Sequence, residues 1–161
     1  MLQFFRELLS TNTNQENNNQ HYSSDSVSEN TERKIQLATC ALFLEVAHAD
    51  DNFDPAEQDI LISIMTKMFD LNEAEVDELI KQSNEIIRES VSLYEFTDVI
   101  NEHFDKDERY EIIKNLWRLI LADEKIHKYE EHFIRIISNN FHLEHKDMIA
   151  AKLEIKEELG L

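Results

Sequence analysis

The chain has 161 residues, enough for one domain with a sizeable core, and sets 34 Asp and Glu against 16 Lys and Arg, a formal net charge of −18. Repulsion from phosphate backbones and anionic lipid argues against nucleic acid and against polybasic membrane docking, leaving basic proteins and divalent cations as natural partners. One Gly and one Pro leave almost no material for tight β-turns, so the chain is predicted to be all-α.

A single thiol, Cys40, lies in an apolar run and has no second Cys for a disulfide or a zinc site, so it reads as a small buried residue. No run approaches the roughly 18 apolar residues of a membrane span, and the opening MLQFFRELL lacks a basic leader. A cytoplasmic protein without direct membrane insertion is expected.

In chain order, residues 1–10 are predicted as a short amphipathic helix with Leu2, Phe5, Leu8 and Leu9 on one face, which either docks on the domain or tethers it. Residues 11–31 are polar and rich in Asn, Ser and Gln. They are too poor in apolar side chains to offset the entropy of ordering, and read as a flexible linker. Residues 32–161 form the helical domain, a compact bundle of about seven helices with short connections.

The first helix of that domain runs from about Glu32 to Ala49, with Ile35, Ala38, Leu42 and Val46 on one stripe. Asp54 as N-cap, Pro55 at the first helical position and Glu57 at the third open the second, which buries Ile60, Leu61, Ile64, Met68 and Phe69. Asn72 with Glu75 caps a third, carrying Val76, Leu79, Ile80 and Ile87; Ser92 with Glu95 caps a fourth, carrying Phe96, Val99, Ile100 and Phe104. A fifth, from about Lys106 to Ala122, buries Ile112, Ile113, Leu116, Leu119 and Ile120. The acidic run 101–111 ahead of it reads as a solvated junction. His127 with Glu130 opens a sixth helix, and the last covers about Glu144 to Glu158. Trp117 and the Phe residues fall at core spacing and read as packing.

The order contains a pseudo-two-fold repeat. Residues 49–71 align with 122–143: Asp50 falls on Asp123, Phe53 on Ile126, Glu57 on Glu130 and Ile64 on Ile137. A one-residue deletion then brings Phe69 onto Phe141 and Leu71 onto Leu143. Each copy is an apolar helix ending Ala-Asp, a short acidic turn, and a capped helix.

Those same residues carry a family resemblance. Ala49, Asp50, Phe53, Asp54 and Glu57, with Ala122, Asp123, Ile126 and Glu130 as a second occurrence, resemble the signature of the TerB family of tellurite-resistance proteins. The resemblance spans about residues 33–158. It implies an all-α fold shared with a domain of a membrane-anchored DnaJ-type co-chaperone. It also implies a non-enzymatic acidic domain that binds divalent metal and works with partners in metal-stress or membrane-associated responses. Asp51 and Glu124 stand where the family usually has Gly, and His127 replaces an expected acid, which puts a second cation site in doubt.

Two readings of the first acidic turn follow from its residues. Capping alone explains Asp54 and Glu57. It leaves unexplained Asp50, Asp51 and Asp59, and Glu45 one turn earlier; Asp50 and Asp51 end a helix, where the dipole disfavours anions. A hard divalent cation, Ca²⁺ or Mg²⁺, would relieve that crowding. Asp50, Asn52 and Asp54 echo half of a calcium loop, but Pro55 and Leu61 occupy the positions that need Gly and a bidentate Glu. The predicted ligands are Asp50, Asp54 and Glu57, with Asp123 and Glu130 as a weaker set and Glu45 assisting. The competing reading is a metal-free scaffold facing a basic or membrane-associated protein partner, with homo-oligomerisation open. A di-iron site using Glu45 with His48 and Glu124 with His127 is a remote third, because the second pair falls in a turn. Nothing supports nucleophilic catalysis or a phosphate cradle.

Overall fold

The computed structural model describes residues 24–50, 54–89, 92–123 and 128–161. The expected helix over residues 1–10 and most of the expected linker lie outside them. Among the described residues are seven α-helices, two 3₁₀ turns and no strand: α1 Ser24–Ala47, a first turn His48–Asp50, α2 Pro55–Phe69, α3 Glu73–Glu89, α4 Tyr94–His103, α5 Lys106–Ile120, a second turn Leu121–Asp123, α6 Lys128–Asn140 and α7 His145–Leu159.

Local chemistry sets most boundaries. Asp54 Oδ1 accepts the Ala56 N–H at 2.6 Å while Glu57 Oε2 accepts the Asp54 N–H at 3.1 Å, the reciprocal box expected at the start of α2. Asn72 and Glu75 do the same for α3. Asp105 and Glu108 do so for α5, inside the stretch read as a mere junction. Ser92 Oγ accepts the Tyr94 N–H at 3.1 Å and α4 begins there. Two boundaries differ from expectation. α1 starts at Ser24 rather than about Glu32, because each residue added to an existing helix gains a hydrogen bond without a new nucleation cost. The first and fifth helices close in 3₁₀ turns instead of running on to Ala49 and Ala122.

α1 is the central helix. Every apolar side chain from Leu37 to Ala47 is buried, as are Trp117, Phe96, Phe141 and the predicted Ile and Leu positions of α5. Ile86 rather than Ile87 holds the core position on α3. Trp117 satisfies its buried indole by donating Nε1–H to the Met148 carbonyl at 3.2 Å, and Lys152 sits 4.9 Å above its ring.

The repeat is physical as well as textual. α3 packs on α1 and α2, as α7 packs on α5 and α6. α2 packs on α5 and the second 3₁₀ turn, as α6 packs on α1 and the first. Both α2 and α6 end in a left-handed residue, Asp70 and His142. After them the Leu71 N–H donates to the Thr66 carbonyl at 3.3 Å and the Leu143 N–H to the Ser138 carbonyl at 3.0 Å. Among the described helices α4 alone has no counterpart: it packs on α1 and α6, held by Asn101 Nδ2 donating to the Asn140 carbonyl at 2.7 Å.

Candidate functional site

Each 3₁₀ turn is packed by the capped helix of the other half. The first precedes α2 in sequence, and the second packs on α2, with Leu121 and Ala122 lining the same groove as Ile60 and Ile64. The exchange comes from the pseudo-two-fold: each capped helix crosses to the turn that ends the first helix of the other half.

Glu57 and Glu130, at equivalent places in the first turns of α2 and α6, are 3% and 1% exposed. Capping does not require this. Glu75 and Glu108 fill the same role in the boxes of α3 and α5 and stand in solvent. A carboxylate taken out of water costs free energy unless neighbours or a counter-ion compensate, so two buried acids at matching positions set the starts of α2 and α6 apart from those of α3 and α5.

The remaining predicted ligands fall as follows. Asp54 is exposed and its Oδ1 is engaged by the Ala56 N–H. Glu45 is half-buried on the last turns of α1, and burial raises its carboxyl above the ordinary carboxylate value. Asp50 and Asp123 close the two 3₁₀ turns; their side chains, like Asp51, Glu124 and His127, lie outside the described residues. Among the described residues no three His, Cys, Asp or Glu side chains are placed to hold a metal ion. His48 of the di-iron reading is exposed.

Other chemistry is paired or inert. Burial pushes the Cys40 thiol up to about 12, with the Ser83 hydroxyl and the Arg33 charge opposing it only in part. Between α5 and α7, Arg118 donates Nε–H to Glu158 Oε1 at 3.0 Å and Nη2–H to Oε2 at 2.7 Å. In the same seam Lys114 Nζ lies 3.3 Å from Glu154, which also accepts the Tyr110 hydroxyl at 2.8 Å. No described helix is long and apolar enough to cross a membrane.

An all-helical bundle of two related halves, each opening its second helix with a buried acid beside an Asp-ended turn, defines an acidic helical domain of the tellurite-resistance type. The chain belongs to the family described as tellurite resistance protein TerB, whose profile matches residues 36–153. The crystal structure of a protein of unknown function from Porphyromonas gingivalis is similar, with a TM-score of 0.58 and 18% identity over 78% of this chain and 95% of that one. That likeness shows the fold. No curated protein matches the sequence.

Proposed function

We propose that this domain is a non-catalytic acidic binding module that takes up a divalent cation, Ca²⁺ or Mg²⁺, at its paired turns and presents the neutralised corner to a basic or membrane-associated protein. The burial of Glu57 and Glu130 carries the reading. A helix cap needs neither acid to leave water, and oxygen-only ligands suit hard cations. Asp50 with Glu57 and Asp54 forms the principal set, Asp123 with Glu130 the second, and Glu45 gains a reason for its half-buried place. Bound cation would offset the repulsion among these groups and fix the angle between α1 and α2. Because the folded state alone binds, stability would rise by the mass-action term, about 2.7 kcal/mol at a hundredfold excess over Kd.

Thermal melts with and without millimolar Ca²⁺, Mg²⁺ or Mn²⁺ test this. The wild-type chain is expected to melt higher with at least one ion, and Asp50→Asn with Glu57→Gln to abolish the shift. Melting that no ion changes would leave a metal-free scaffold facing its partner directly.

A further inference from the structure

Among the described helices α4 is the one without a repeat counterpart, and the place equivalent to its seat can be located. α4 lies on α1 and α6. The repeat exchanges α1 with α5 and α6 with α2, so the equivalent seat lies on α5 and α2, beyond the end of α7. A groove of about 730 Å³ opens there. Its apolar lining includes Ile60, Ile64, Met68, Leu121 and Leu159. The Asn140 carbonyl that anchors α4 has Met68 as its counterpart, in the register set by the Thr66 and Ser138 caps.

We propose that residues 1–10 occupy this groove as a helix, the counterpart of α4. The segment repeats the apolar pattern of α4. Leu2, Phe5, Leu8 and Leu9 fall on Leu93, Phe96, Val99 and Ile100, of which Phe96, Val99 and Ile100 are buried and Leu93 packs against the core. Glu7 falls on Asp98, which faces solvent. Segment and groove both become more polar than α4 and its seat. By the repeat, Glu111 and Asn115 of the groove fall on the buried Ala38 and Leu42 of α1, and Arg6, the segment's only side-chain cation, falls on the buried Thr97 of α4. Arg6 thus enters a lining of mixed charge, with Glu111 and Glu158 beside Lys67 and Arg118, and its aliphatic stem can lie on the apolar residues. Residues 11–23 reach roughly 45 Å when extended, at about 3.5 Å each, which exceeds the roughly 36 Å length of α1 at about 1.5 Å per residue. The arm can therefore run back along the domain to the groove of its own chain.

Cysteine cross-linking in the full chain tests the placement, helped by the buried, unreactive Cys40. Phe5→Cys with Ser63→Cys, an exposed groove residue, is expected to form an intramolecular disulfide at least about tenfold faster than Phe5→Cys with Asp77→Cys, exposed on α3 outside the groove. Equal rates, or disulfides formed only between chains, would overturn the proposal. Phe5→Asp with Leu9→Asp should lower the melting temperature of the full chain by several degrees; an unchanged melt would equally overturn it. Neither readout involves a cation, so this result and the acidic-turn result can fail separately.

Discussion

Asp70 and His142 occupy the same place in the two halves, each holding a left-handed backbone, at φ 53° and φ 58°, on the last turn before a Leu that caps its helix. The chain spends its only Gly, Gly160 at φ 73°, on the end of α7. Asp and His therefore bear a Cβ in a region that disfavours one. Asp70→Gly and His142→Gly are each expected to stabilise the domain by roughly 0.5–1 kcal/mol, since the relieved strain exceeds the added chain entropy. Chemical denaturation would read this as a higher midpoint at constant slope, and the two effects should add because the sites are independent.

The seam between α5 and α7 gives a salt-sensitive prediction. Arg118 and Glu158 form a two-point pair at a partly exposed surface. Arg118→Ala should cost about 0.5–1 kcal/mol at low ionic strength and less at 1 M salt, where screening reaches about 3 Å. Denaturation midpoints at the two salt concentrations check both the size and its decline.

Glu45 supplies a pH prediction. Burial raises its carboxyl, so in the folded state the proton is held more tightly than in the unfolded chain. Its contribution to stability is full below the ordinary value of 4.5 and is lost as pH rises through the folded value. Glu45→Gln is thus expected to raise the melting temperature at pH 7 without added cation, with the gain shrinking as pH falls toward 4.5. Melts across pH 5 to 8 would show the trend.

Much of this fold was legible because helix starts are local chemistry. The Asp54–Glu57 and Asn72–Glu75 boxes sit in the sequence as they do in the structure, and the apolar stripes of α5 map directly onto its buried residues. What sequence could not convey is which elements cross. Glu57 and Glu75 look alike as capping acids, yet one is buried and the other exposed, a difference set by tertiary packing that local spacing does not carry. The groove was hidden for the same reason. Its signal, α4 having no partner in the repeat among the described helices, emerges only once α4 is seen on α1 and α6. The start of α1 at Ser24 was missed because polar residues such as Ser and Asn carry low helix propensity, which propagation from a buried helix overrides.

Cys40 should be silent toward reagents. With the thiol at about 12 and no exposed surface, alkylation of the folded chain at pH 8 is expected to be at least about a hundredfold slower than in denaturant. Thiol titration with and without guanidinium measures the ratio. Rapid labelling of the native chain would mean that α1 opens locally.

The acidic corner is tested most directly by titrating the full chain with Mn²⁺ and following free ion by its electron paramagnetic resonance signal. The account predicts that at least one Mn²⁺ per chain leaves the free pool, is displaced by excess Ca²⁺ or Mg²⁺, and stays free when Asp50→Asn is combined with Glu57→Gln. Wild-type and variant chains that deplete the signal equally, or a wild-type chain that leaves it untouched at millimolar ion, would contradict it.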